Sequence, residues 1–120
     1  VAARHGFEPV SPEALGFVDQ VKLFAAASVI AGPHGAGLAN MVFAPPGTPV
    51  VELIGPRFAA SGGKIAATYE TLAATLGHRL TRVIGEVPAG EPIRHDHLPY
   101  ETYRVDPAAL AGALRRATGA

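Results

Sequence analysis

One stretch of this chain carries residues whose types and spacing suit chemistry. The β-branched run Val29-Ile30-Ala31 passes directly into Gly32-Pro33-His34-Gly35-Ala36-Gly37, and a helical pattern, Leu38 to Phe43, starts at once. The first N–H groups of any helix lack internal acceptors, and the helix dipole adds partial positive charge at that end. A phosphate placed there receives several N–H bonds, and glycines at 35 and 37 remove the β-carbons that would hold it off. His34 stands at the lip, able to donate a further hydrogen bond to a phosphate oxygen or a leaving group. The expectation is an anion pocket suited to a diphosphate, with a tight strand-to-helix turn as the plain structural alternative. Glu52 closes the next strand, where a carboxylate can accept two hydrogen bonds from ribose hydroxyls or pair with Arg57 or water. Asn40, one turn into the short helix, can face the same ligand or cap a neighbouring loop.

Better-known motifs fit these residues less well. A dinucleotide fingerprint needs a third glycine where Asn40 stands, and Pro45-Pro46 cuts the helix short. Gly63-Lys64 is followed by Ile65 rather than Ser or Thr, so it is no nucleoside-triphosphate loop. Ser11, Ser28 and Ser61 all lie outside a Gly-x-Ser-x-Gly elbow. His95-Asp96-His97 offers two imidazoles at i and i+2, but no third ligand is indicated nearby, and the chain has no Asp-x-Asp pair. No metal is expected. Arg57 and Lys64 flank the loop after Glu52, as neutralising charges for a diphosphate or as solvated surface cations.

The elements that must position these residues alternate between strand and helix patterns, the signature of a parallel sheet with crossover helices. Gly6 stops a helix fragment, and Phe7 to Val10 is expected as a first strand. Phe17, Val21, Phe24 and Ala25 define the inward face of an amphipathic helix. Strands are expected at Val29 to Ala31, Pro49 to Leu53, Arg79 to Ile84 and Thr102 to Val105. A helix from Lys64 to Leu76, with inward stripe Ile65, Tyr69, Leu72, Ala73 and Leu76, is capped by Gly77. Asp106 is an N-cap with Pro107 at the first helical position, and Leu110, Leu114 and Ala117 give the last helix its inward face. The fold class is therefore α/β, a Rossmann-like parallel sheet with flanking helices built from about four βα units.

A length of 120 residues holds one such domain, spanning 1–120. With 48% hydrophobic residues and a formal net charge of zero, the chain is neither a disordered tail nor a general electrostatic nucleic-acid binder. The absence of cysteine excludes disulfides, a thiolate nucleophile and thiolate-ligated zinc. It fits a reducing compartment, here a bacterial cytoplasm, with peripheral membrane association compatible and no membrane span. Val1-Ala2-Ala3-Arg4-His5 reads like the tail of a helix already under way, so the chain is expected to be a fragment of a longer one.

The strings Gly6-Phe7-Glu8-Pro9-Val10, Phe17 to Ala25, Val29 to Phe43 with its His-Gly-Ala-Gly-Leu-x-Asn core, Pro46-Gly47 and Val50-Val51-Glu52-Leu53 resemble the C-terminal region of family 61 glycosyltransferases. The resemblance is dense from Gly6 to Leu53 and loose afterwards. That family includes bacterial capsular-polysaccharide enzymes, plant xylosyl- and arabinosyltransferases and animal protein O-linked N-acetylglucosaminyltransferases. The resemblance implies a GT-B fold, two Rossmann-like halves across a cleft, with this chain as the nucleotide-sugar-binding C-terminal half and the N-terminal half absent. It implies that His34, Gly35, Ala36 and Gly37 contact the donor diphosphate, and that Asn40 and Glu52 meet the nucleoside or ribose. The implied reaction is inverting, metal-independent hexosyl or pentosyl transfer from a UDP-linked donor, with no cofactor, to a glycan or protein hydroxyl. No catalytic base is assigned in this chain. Two other readings remain: a non-catalytic nucleotide-sugar or phosphate-binding module, and a dinucleotide-binding oxidoreductase domain.

Overall fold

The computed structural model describes residues 1–91 and 102–119. Three strands, β1 (Ile30–Pro33), β2 (Pro49–Ile54) and β3 (Arg79–Ile84), form one parallel sheet in the order β1-β2-β3. That is the neighbour order of one mononucleotide-binding half of a Rossmann fold. The register aligns Gly32 with Glu52 and Glu52 with Arg82. Because side chains alternate, Ile30, Val50, Glu52, Ile54, Leu80 and Arg82 share one face, while Val51, Leu53 and Val83 share the other.

Both crossovers cover the first face, as right-handed connections in a sequential order require. The β1–β2 crossover is a 3₁₀ helix (Ala36–Phe43), whose Leu38 and Met41 are buried with Phe24 of α1 (Phe17–Ala25), Ile30 and Val50. Pro45-Pro46-Gly47-Thr48 then turns the chain, Gly47 taking φ 84° and Thr48 N–H donating to Pro45 O at 3.2 Å. The β2–β3 crossover is α2 (Pro56–Ser61), α3 (Gly63–Ala66) and α4 (Thr68–Leu76), with Phe58, Tyr69 and Ala73 turned inward. The second face is covered by α5 (Pro107–Thr118), whose Ala113 and Leu114 pack with Val51 and Val83. Asp106 caps α5 by accepting from Ala109 N–H at 3.0 Å, as its position foretold.

Several expected elements differ. Phe7 to Val10 is irregular chain rather than a strand, since Pro9 deprives it of a donor, although Phe7 still packs on the second face. Thr102 to Val105 contributes one antiparallel bridge, Arg104 to Glu86, and not a strand. The described sheet is therefore three βα units, not four. The helix expected at Lys64 to Leu76 breaks at Ala67, where Thr68 Oγ1 donates to the Ile65 carbonyl at 2.7 Å and competes with the helical ladder. The break shifts the helical phase, so Ile65 is 67% exposed while Tyr69 and Ala73 are buried. In α1 the inward residues are Phe24 with Leu23, whereas Ala25 is exposed and Phe17 lies 70% exposed, edge-on to Phe43. Among the described residues no helix is long and apolar enough to cross a membrane.

Candidate functional site

The site residues separate into two neighbouring groups. The first is the glycine turn. Leu38 N–H already donates to Gly35 O at 3.0 Å, so Ala36 and Gly37 carry the first N–H groups of the 3₁₀ helix without an intrahelical acceptor. Gly35 is extended (φ 161°) and Gly37 does not have positive φ, so neither needs to be glycine for its backbone. Packing does not need them either: a β-carbon on Gly35 would meet nothing nearer than 3.9 Å, and one on Gly37 nothing within 4 Å. Gly35 and Gly37 line a groove of about 910 Å³ together with the Phe7–Glu13 segment, Val29 to Pro33 and residues of the opening turn and the α1 end; Ala36 does not line it. Asn40, which does not line this groove, donates from Nδ2 to the Gly37 carbonyl at 3.2 Å and steadies the turn.

The second group is a charged cluster under the first face of the sheet. His34 continues the β1 ladder, its N–H donating to Leu53 O at 2.7 Å, and so its ring falls on the same face as Glu52. The ring is held edge-on to Phe58 and Tyr69, centroids 4.8 and 4.9 Å away, and does not line the groove. Glu52 has no exposed side-chain surface; Arg82 Nε donates to its Oε1 at 2.8 Å, and its Oε2 faces His34 Nδ1 at 3.5 Å. Expected to meet ribose directly, Glu52 is thus turned inward, and its cation is Arg82 rather than Arg57. Arg82 also donates to the Ala66 carbonyl at 2.6 Å and to Glu70 at 2.8 Å. Arg82, Glu70 and Phe58 are the residues that sequence reasoning missed. Lys64 is exposed. His95-Asp96-His97 lies outside the described residues, among which no group of three or more side chains could hold a metal ion.

Tyr69 reports the field of this cluster. Burial, and secondarily the Glu52 charge, raise its phenol above the usual 10.0. The unfolded chain therefore loses this proton first on going alkaline. Stability contributed by Tyr69 is complete below pH 10 and is lost as pH rises through the folded value. Tyr69→Phe should flatten the fall in stability above pH 10, as read by urea denaturation at a series of alkaline pH values.

A three-stranded parallel sheet with helices on both faces and a glycine turn at a strand's carboxyl end defines an α/β domain of Rossmann-like layering. Comparison with known proteins narrows this: residues 1–51 match the family described as Glycosyltransferase 61, which supports membership of that family and a glycosyltransferase function. The matched segment holds β1, the glycine turn and Asn40, and stops one residue before Glu52. No curated protein and no solved structure matches the chain.

Proposed function

We propose that this chain is the donor-binding half of a GT-B glycosyltransferase, transferring a sugar from a uridine-diphosphate-linked donor to a glycan or protein hydroxyl with inversion. The donor diphosphate lies against the Gly37 amide at the groove and the adjoining Ala36 amide, Gly35 lets it approach, Asn40 fixes the turn, and His34, outside the groove lining but 13% exposed, borders the donor from beside the turn. One observation carries this reading: two glycines that neither backbone nor packing requires stand over open amides, inside the segment matched to the family. As the glycosidic bond breaks, negative charge grows on the departing diphosphate. Fixed amide donors stabilise that charge without reorganising, so the site can work without a metal. A facing half would supply acceptor binding and the base.

Gly37→Val tests the assignment cleanly. Its side chain would stand over the amides without disturbing the core, since space around that position is open. Losing one hydrogen bond to a charged group costs about 1.5–3 kcal/mol, so affinity for uridine diphosphate should fall at least about tenfold. The thermal midpoint should stay at the wild-type value. Calorimetric titration showing equal affinity in both proteins would refute the placement of the diphosphate.

A further inference from the structure

Among the described residues, the buried side-chain polar atoms without a hydrogen-bond partner are His34 Nδ1, Glu52 Oε2 and His78 Nδ1. Two of these face each other at 3.5 Å. Buried polar groups rarely stay unpaired, and a shift of about half an ångström would bring this pair to hydrogen-bond distance. Carboxylate Oε2 can only accept, so the contact is attractive only if Nδ1 carries a proton, and in the neutral ring Nε2 is then the bare, accepting nitrogen. Glu52 cannot turn away, because its other oxygen is held by Arg82 Nε at 2.8 Å and the guanidinium is itself fixed on the Ala66 carbonyl. The ring cannot turn away either, because Phe58 and Tyr69 hold it on edge.

We infer that Arg82 and Glu52 are positioning residues that lock His34 in the Nδ1–H tautomer and so present Nε2 as a hydrogen-bond acceptor. This rests on the donor-site reading and changes it in one respect. A phosphate oxygen, also an acceptor, is a poor partner for Nε2; a hydroxyl group, of the ribose or of the sugar acceptor, is a good one. His34 then sorts hydroxyls, while the diphosphate is left to the neighbouring amides. His78 provides an internal contrast, because its Nε2 lies 2.8 Å from the Met41 carbonyl and must there be the protonated nitrogen.

Imidazole nitrogen spectra of the full chain labelled with ¹⁵N-histidine test this directly, with His34→Asn and His78→Asn variants identifying the signals among the five histidines. The expected result is opposite tautomers, Nδ1–H for His34 and Nε2–H for His78. Glu52→Gln should reverse His34: Arg82 claims the new amide's oxygen, its NH₂ then faces Nδ1, and the ring proton moves to Nε2. Glu70→Gln, on the exposed side of Arg82, should leave the tautomer alone. A wild-type His34 protonated on Nε2 would overturn the inference without any variant having to fold, and so would a tautomer indifferent to Glu52→Gln. Titrating the wild-type sample with uridine, 2′,3′-dideoxyuridine and 2′-deoxyuridine diphosphates separates the hydroxyl sources. A selective Nε2 shift that needs the ribose hydroxyls assigns the ribose, whereas one that appears only on adding a sugar acceptor assigns the acceptor hydroxyl. An Nε2 signal that no hydroxyl-bearing ligand moves would overturn the sorting role. Failure of all three nucleotides to bind would instead remove the donor reading, with the tautomer result standing separately.

Discussion

Replacing Arg82 with methionine is expected to destabilise the fold by about 3–5 kcal/mol, the cost of removing one partner from a buried ion pair. Glu52 has zero exposure, so its charge cannot be taken over by water, and among the described residues Arg82 is the cation that bonds it directly. The same change strips the Ala66 carbonyl of its donor at the end of α3, loosening the crossover that holds Phe58 against His34. Glu70, about half exposed, simply turns to solvent and adds little. The double change Glu52→Met with Arg82→Met should recover more than half of the loss, because no unpaired charge then remains inside. Urea denaturation of the four proteins measures both statements. An Arg82→Met protein as stable as wild type would show that the pair does not support the fold.

That cluster also shows where reading the sequence reached and where it stopped. Each strand's own composition marks it: β2 is apolar but for Glu52, β3 alternates polar residues with Leu80, Val83 and Ile84, and β1 is short and glycine-bearing. Caps such as Gly6, Gly77 and Asp106 are local chemistry and were legible for the same reason. Register is not local. Nothing in either strand alone says that Glu52 lies opposite Arg82, yet a signal existed. Glu52 sits between Val50 and Ile54, Arg82 between Leu80 and Ile84, one opposite charge at the same point of two alternating patterns. Matching those patterns would have found the pair.

The site was legible in the same uneven way. The glycine turn declares itself by residue type, whereas the burial of Glu52 depends on α2 and α4, which close over it from more distant chain. The inward face of α1, read from periodicity as Phe17, Val21, Phe24 and Ala25, is rotated in the fold toward Leu23 and Phe24. Periodicity gave the helix but not its rotation. Packing against Ile30 and Met41 turned Leu23 and Phe24 inward and left Phe17 outside.

Truncating Leu114 to alanine should cost about 2–5 kcal/mol, a large share of the roughly 5–15 kcal/mol that holds a domain of this size together. Leu114 is wholly buried against Val51, Val83 and Ala113, and α5 is the helix that covers this face. The face cannot collapse around the gap, because its other side is the rigid hydrogen-bonded sheet. Ala2 and Phe7 pack on the same cluster, so the loss should spread to the opening segment, and Phe7 begins the wall of the groove. Hydrogen exchange should therefore quicken at the amides of Gly6 and Phe7, which are bonded to Ala3 and Ala2, while those of β2 keep most of their protection. Leu110→Ala, at a half-buried position on the same helix, should cost less than half as much. Equal costs at the two positions would mean that α5 does not pack by the Leu114 face.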